Sequence, residues 1–227
     1  NSTIFIHHDN AYLKEIAGGL NQIPYGSKDG LYISGHVTGN SPYLAFEWKA
    51  DKEGERHEVQ TQLIGEYNFP NALAAITIGR FFGVEPEKID AALAAYTPQN
   101  NRSQLKQTAD NTLIIDAYNA NPTSMQASLA NFHNMKVENK MLILGDMREL
   151  GKDGPEEHQK IADFLTECGF EDVMLVGEQF AAARHSFPTY PDAAAVIEVL
   201  KQSKPHGKTI LIKGSNGIRL NTVIDYL

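Results

Sequence analysis

Short apolar runs alternate with helical spacings along the second half of the chain. Leu113-Ile114-Ile115 leads into Asp116, and Pro122 then opens a helical pattern carried by Ser124, Met125, Ala127, Leu129 and Phe132 through Asn134. An apolar run at 141–144 precedes the loop Gly145-Asp146-Met147-Arg148-Glu149-Leu150-Gly151 and a helix over 155–168. The run 173–176 precedes helices near 179–185 and over 192–202, and the run 209–213 precedes Gly214-Ser215-Asn216-Gly217 and a last helix. Continuous apolar strands alternating with helices predict a mostly parallel, doubly wound α/β sheet.

The first half is mixed. Ile4 to Ile6 reads as a strand, and Asn10 can cap a helix running to about Leu20. The stretch 26–61 is β-rich. Leu31-Tyr32-Ile33, Tyr43 to Trp48 and His57 to Leu63 alternate or cluster apolar residues between Gly, Asn and Asp turns. Asp51-Lys52-Glu53-Gly54-Glu55 reads as a charged hairpin tip. Asn68 is the expected N-cap of a helix with Pro70 in its first turn, an apolar face of Leu73, Ile76, Ile78, Phe81 and Phe82, and a stop at Gly83. Pro86 opens a second helix through Ala95, with Ile89 and Leu93 on one face. Thr97-Pro98-Gln99-Asn100-Asn101 then breaks the pattern. Two domains are expected, 1–98 and 99–227.

Composition narrows the classes. The 227 residues, 42% of them hydrophobic, can bury a sizeable core, and no apolar run is long enough to span a membrane. A net charge of -8 argues against general affinity for nucleic acid or anionic lipid, but not against a nucleotide held by a few local groups. The single cysteine, Cys168, cannot form an internal disulfide and fits a reducing, cytoplasmic setting; its helical pattern suggests a core position. The chain begins on Asn1-Ser2-Thr3, directly before a strand and without methionine, so a piece of a longer protein is expected.

Polar groups collect at strand ends. Asp116-Ala117-Tyr118-Asn119-Ala120-Asn121-Pro122 places an acid, a phenol and two carboxamides between a strand and a helix, where open α/β sheets bind ligands. Asn and Pro are also ordinary turn residues. The loops at 145–149 and 213–216 carry similar chemistry, and in a parallel sheet such ends converge on one edge. Asp, Asn, Arg and Lys together suit a substrate carrying carboxylate or phosphate. Exposed loops are polar in any case. Arg102, just past the domain boundary, could reach a phosphate, or be a surface arginine.

Other signals carry less. The eight histidines show no zinc-ligand spacing; in the cluster His7-His8-Asp9, neighbours on a strand point to opposite faces. Ser215 lacks a nucleophile elbow. Gly207-Lys208-Thr209 resembles the end of a phosphate loop, but Gln202 stands where the earlier glycine is required, and the triplet precedes a strand instead of following one.

In their order, these motifs resemble the Mur ligase family of peptidoglycan synthesis, and within it the branch that adds D-alanyl-D-alanine. The family's G-x-H-N-x-x-N-x-x-A-A helix start reads Gly65-Glu66-Tyr67-Asn68-Phe69-Pro70-Asn71-Ala72-Leu73-Ala74-Ala75 here, with tyrosine for histidine. Its G-R-x-Q reads Asn101-Arg102-Ser103-Gln104, with asparagine for glycine. The block 116–122, the segment 144–151 and Lys213-Gly214-Ser215 also match. The resemblance implies the C-terminal half of a central ATPase domain followed by a Rossmann-like C-terminal domain. It implies an ATP-dependent ligase joining D-Ala-D-Ala to UDP-N-acetylmuramoyl-tripeptide through an acyl phosphate. The phosphate loop, the Mg2+ ligands and the main catalytic groups would lie upstream. It further implies ATP contacts from Asn68, Asn71, Arg102 and Asp116, and substrate contacts from Tyr118, Asn119, Asn121, Lys213 and Ser215. Another Mur ligase, a folylpolyglutamate synthase, or a non-catalytic nucleotide- or sugar-binding module remain open alternatives.

Overall fold

The computed structural model describes residues 2–51, 54–99 and 101–227. The chain divides into two compact units, Asn1–Thr97 and Pro98–Leu227. Parts of two expected features, the hairpin tip at Lys52 and Glu53 and the polar break at Asn100, lie outside the described residues.

The first unit contains β1 (Thr3–His7), α1 (Ala11–Ile16), β2 (Asn21–Gly26), β3 (Ile33–Asn40), β4 (Tyr43–Ala50), β5 (His57–Ile64), α2 (Phe69–Phe81) and α3 (Pro86–Ala95). Its five-stranded sheet runs β1-β2-β3-β4-β5, parallel from β1 to β3 and antiparallel from β3 to β5. Alternation along β4 buries Leu44, Phe46 and Trp48, which pack with Ile33, Leu73, Ile76 and Ile89. Asp90 on α3 accepts from the Trp48 indole N–H at 2.7 Å and pairs with His57 Nδ1 at 2.9 Å, fixing α3 against β4 and β5.

One strand of this unit was not expected, and two expectations fail, each for a local reason. β2 reads Asn-Gln-Ile-Pro-Tyr-Gly and has no clean alternation, yet it sits between two parallel neighbours. On α2 the buried stripe is Leu73, Ile76 and Thr77, so the helical period turns Ile78, Phe81 and Phe82 outward. Asn68 makes no side-chain cap bond to α2, because a 3-10 turn over Glu66–Asn68 already feeds the helix.

The second unit contains β6 (Gln104–Gln107), β7 (Thr112–Asp116), α4 (Pro122–Asn134), β8 (Lys140–Gly145), α5 (Gly154–Glu167), β9 (Val173–Val176), α6 (Glu178–Ala182), β10 (Thr189–Tyr190), α7 (Ala193–Gln202) and β11 (Thr209–Lys213). The sheet order is β10-β9-β8-β11-β7-β6, parallel throughout except for β6. One face gathers Leu113, Ile115, Met141, Ile143, Ile210 and Ile212 against Val196, Leu200 and Val223. The alternate residues Ile114, Leu142, Leu144 and Leu211 are buried too, so both faces are covered, as a doubly wound sheet requires.

The strand β6 was not expected: Gln-Leu-Lys-Gln is polar because it is an antiparallel edge, where charged and polar residues keep further strands from adding. The expected last helix is instead 3-10 turns at Asn216–Ile218 and Leu220–Tyr226, separated by Arg219 at φ 60°. Cys168 follows α5 half-buried, outside the core, and burial raises its thiol pKa.

Candidate functional site

Parallel pairing puts β11 between β8 and β7, so the three polar strand ends are adjacent. The register sets Lys213 opposite both Asp116 and Leu144. Lys213 Nζ lies 2.5 Å from Asp116 Oδ2, and its side chain is only 2% exposed. The other carboxylate oxygen, Oδ1, accepts the Ser103 N–H at 3.3 Å. Both expected ligand groups, Lys213 and Asp116, are therefore engaged with each other inside the unit.

The Ser103 bond anchors a turn with unusual backbone. Asn101 adopts φ 58° and Ser103 φ 47°, both left-handed. Glycine enters that region freely, and asparagine is the next most tolerant residue. This accounts for asparagine where the G-R-x-Q pattern has glycine. The turn presents Arg102 to solvent, with its Cζ 3.8 Å from the centre of the Tyr118 ring. Among the described residues of this unit, Tyr118 is the only large hydrophobic side chain counted as exposed, at 46%. A guanidinium over an aromatic face is held by the ring quadrupole while its N–H groups stay available.

The two asparagines of the 116–122 block are also engaged locally. Asn119 Oδ1 accepts from the Ala120 N–H at 2.8 Å. Asn121 is the N-cap of α4, accepting from the Ser124 N–H at 2.8 Å, while its own N–H donates to Ser124 Oγ at 3.2 Å. That reciprocal box satisfies two otherwise orphaned donors. Ser215 is nearly buried, and its Oγ accepts from the Arg148 N–H at 2.9 Å. Its N–H donates to the Asp146 carbonyl at 3.1 Å.

The loop after β8 is pinned more tightly than the sequence suggested. Asp146 is buried; its carboxylate accepts from the N–H groups of Gln179 and Phe180 at 2.9 and 3.0 Å, closing the first turn of α6. His158 is fully buried on α5; its Nε2 faces the Met147 N–H at 3.0 Å and its Nδ1 the Gly154 carbonyl at 2.7 Å. A donor on one side and an acceptor on the other select the Nδ1–H tautomer. A search for zinc spacing passes over His158. Its position three, four and seven residues before the buried Ile161, Ala162 and Leu165 places it on the inner face of α5 and could have marked it.

Above these strand ends lies a cleft of about 470 Å³, bordered by Tyr118, Asn119, Arg148, Glu149 and Asn216. A second of about 320 Å³ runs along the loop after β8 toward Gly177, and Arg148 borders both.

In the first unit, Asn68 donates from Nδ2 to the Ile64 carbonyl at 2.8 Å and accepts from Asn71 Nδ2 at 3.4 Å. Asn71 is otherwise exposed at the start of α2. Tyr67, in the place of the motif's histidine, folds back over Gly65 so closely that a Cβ there would lie 2.2 Å from the ring. Gly65 also has φ 92°, so glycine is required on both counts. His7 and His8 do not diverge as a strand would dictate. β1 ends at His7, and both rings approach Asp9, at 3.5 and 3.6 Å. Asp9 is already committed to the Ser27 N–H at 2.7 Å. Among the described residues no three His, Cys, Asp or Glu side chains gather as metal ligands, so none is assigned to Mg2+. Nor is any helix among them long and apolar enough to cross a membrane.

Known proteins share this fold. The family described as Mur ligase, glutamate ligase domain matches residues 101–216. The UDP-N-acetylmuramoyl-tripeptide–D-alanyl-D-alanine ligase of Synechocystis sp. is 27% identical over 236 residues, covering 100% of this chain and 50% of that protein. The ligase of the same name from Bacillus subtilis is 31% identical over 173 residues, covering 71% of this chain and 38% of that protein. A crystal structure of MurF ligase from Thermotoga maritima in complex with ADP superposes with a TM-score of 0.83 at 18% identity, covering 100% of this chain and 53% of that one. MurF from Acinetobacter baumannii gives a TM-score of 0.81 at 22% identity, covering 98% of this chain and 51% of that one. At such identities the structural likeness speaks for the fold. The chain spans about half the length of the Synechocystis relative, and the match takes in the whole of this chain. The family match takes in half of the chain and every strand of the second sheet, from β6 to β11, and the chain belongs to the Mur ligase family.

Proposed function

We propose that this chain is part of an ATP-dependent amide ligase that joins D-Ala-D-Ala to UDP-N-acetylmuramoyl-tripeptide in peptidoglycan synthesis. In that reaction ATP transfers its γ-phosphoryl group to the tripeptide carboxylate, and ADP leaves. The dipeptide amine attacks the acyl carbon, phosphate departs with the C–O bond, and the new amide nitrogen loses a proton. The Asn1–Thr97 unit would then be the C-terminal half of the ATPase domain, with the phosphate loop and Mg2+ ligands supplied by the rest of the protein. A reaction consuming ATP and a nucleotide-linked precursor fits a cytoplasmic protein.

The observation that carries this assignment is Arg102, displayed by a left-handed turn, stacked on Tyr118, and next to a polar cleft at adjacent strand ends. A guanidinium held this way suits an ATP phosphate. Asn68 and Asn71 are assigned to the adenine, Tyr118 and Asn119 to the approach of nucleotide and dipeptide. The bonds already made by Asp116, Asn121, Lys213 and Ser215 favour a supporting part for all four, holding the groups that touch ligand.

Phosphate release by the full-length protein, supplied with ATP, UDP-N-acetylmuramoyl-tripeptide and either D-Ala-D-Ala or L-glutamate, tests the assignment. Turnover is expected with D-Ala-D-Ala alone, and none from the isolated 227-residue chain. Preference for L-glutamate would move the protein to a folylpolyglutamate synthase-like activity, and turnover by the isolated chain would overturn its partial nature. In the full-length enzyme Arg102→Ala is expected to lower kcat/KM for ATP at least about tenfold, roughly 1.4 kcal/mol of lost transition-state stabilisation. Unchanged kinetics would remove Arg102 from the phosphate site.

A further inference from the structure

Two of the cationic side chains at the strand-end edge of the Pro98–Leu227 unit have occupations. Lys213 is paired with Asp116, and Arg102 is stacked on Tyr118. Arg148 differs. Among the described residues its guanidinium makes no ion pair and no hydrogen bond, although it borders both clefts.

The side chain is exposed, but its main chain is fixed. The Arg148 N–H is held by Ser215 Oγ, and the preceding Met147 N–H by the buried His158. The side chain then lies across Gly217, where a Cβ would fall 2.7 Å from Nη1 and 3.2 Å from Cδ. Any larger residue at 217 would displace the arginine. An arginine whose main chain is pinned and whose path is kept clear, but whose charge is unanswered, is pre-organised for an anion from outside the chain.

The neighbours indicate which anion. Glu149 borders the same cleft and, among the described residues, also has no ion-pair partner. A carboxylate beside the arginine disfavours a multiply charged phosphate by like-charge repulsion and favours a ligand that carries a cation of its own. Asn119 and Asn216 add amide groups able to bond a peptide unit. A cleft with one unpaired cation, one unpaired anion and carboxamides matches a zwitterion: a free amino acid or short peptide with ammonium at one end and carboxylate at the other.

We propose that Arg148 grips the C-terminal carboxylate of the amine-donating substrate, and so selects acceptors that carry a free carboxylate. The proposal rests on the ligase assignment above. A planar guanidinium matches a carboxylate with two parallel N–H···O bonds, which fixes direction as well as position.

The test uses the full-length enzyme with D-Ala-D-Ala and its C-terminal amide, D-alanyl-D-alaninamide. The wild type should prefer the dipeptide over the amide by at least about tenfold in kcat/KM, the scale of one charge-assisted bidentate contact. Arg148→Ala should raise KM for D-Ala-D-Ala by a similar factor, leave KM for ATP within about twofold, and lose the preference over the amide. Arg148→Lys should keep part of it, because a single ammonium replaces the fork. An unchanged dipeptide KM in Arg148→Ala, or a rise confined to the KM for ATP, overturns the proposal, the second by giving the anion to the nucleotide. If the wild type ligates a different amine, the acceptor assignment falls instead. The carboxylate and amide forms of that amine then decide the part of Arg148 by the same comparison.

Discussion

Lys213→Met is expected to destabilise the Pro98–Leu227 unit by about 3–5 kcal/mol, the range for removing one partner of a buried ion pair. The reason is the group left behind. Asp116 is 14% exposed by side chain and would lose the only cation within hydrogen-bond reach of its carboxylate among the described residues. The lysine stem is easily replaced by methionine, so packing contributes little to the loss. A single domain is stable by only about 5–15 kcal/mol, so this variant should show a large fall in urea midpoint with little change in slope. The double variant Asp116→Asn with Lys213→Met should recover most of the loss, because the uncompensated charge is gone. A single variant costing under about 1 kcal/mol, or a double variant as unstable as the single, would show that the pair does not hold β7 and β11 together at their ends. The functional consequence follows the same bonds. Asp116 also receives the Ser103 N–H, so a displaced carboxylate frees the turn that presents Arg102.

Much of this edge was legible in the sequence because burial writes itself into composition. The runs 113–115, 141–144, 173–176 and 209–213 are dominated by apolar residues, as strands covered on both faces need to be. Proline at 122 and 155 marks helix starts because its missing N–H would have had no partner there. The elements that escaped carry no clear apolar period of their own. β6 is polar because it is an edge, and β2 carries a proline and two carboxamides. The C-terminal turns take 3-10 geometry around the left-handed Arg219, which no period of 3.6 announces.

At the site, residue types were easier to read than residue jobs. Asp116, Lys213, Ser215 and Asn121 were all expected to face ligand. A sequence does not reveal that Lys213 sits opposite Asp116 in the register; the three-residue spacing from Asn121 to Ser124 is visible in it, but not that the two side chains are spent on each other's backbone in a cap. Polar residues near a binding edge serve either the ligand or the loops that hold it, and only the pairing separates the two. Arg148 went the other way: it reads as one charged residue within a loop, and gains meaning from the bonds on its backbone and the absence of any on its guanidinium among the described residues.

Gly177→Ala is the second change expected to be severe, at about 2–4 kcal/mol from backbone strain together with a lost helix cap. Gly177 has φ 123° and ψ 169°, a region that only glycine occupies without strain. A Cβ there would lie 2.2 Å from Asp146 Oδ2 and 2.3 Å from its Cγ, far inside contact distance. The carboxylate cannot swing aside cheaply, since its two oxygens accept the Gln179 and Phe180 N–H groups that open α6. Moving it would leave those donors unmet and pull on the Asp146 carbonyl that receives the Ser215 N–H. The loop carrying Arg148 is thus coupled to the glycine that follows β9. Double-mutant analysis separates the two causes. If the clash with the carboxylate dominates, Gly177→Ala should cost distinctly less in an Asp146→Ala background than in the wild type, leaving only the strain of the backbone. Equal costs in both backgrounds would assign the whole effect to φ and ψ, and would remove Asp146 as the link between α6 and the Arg148 loop.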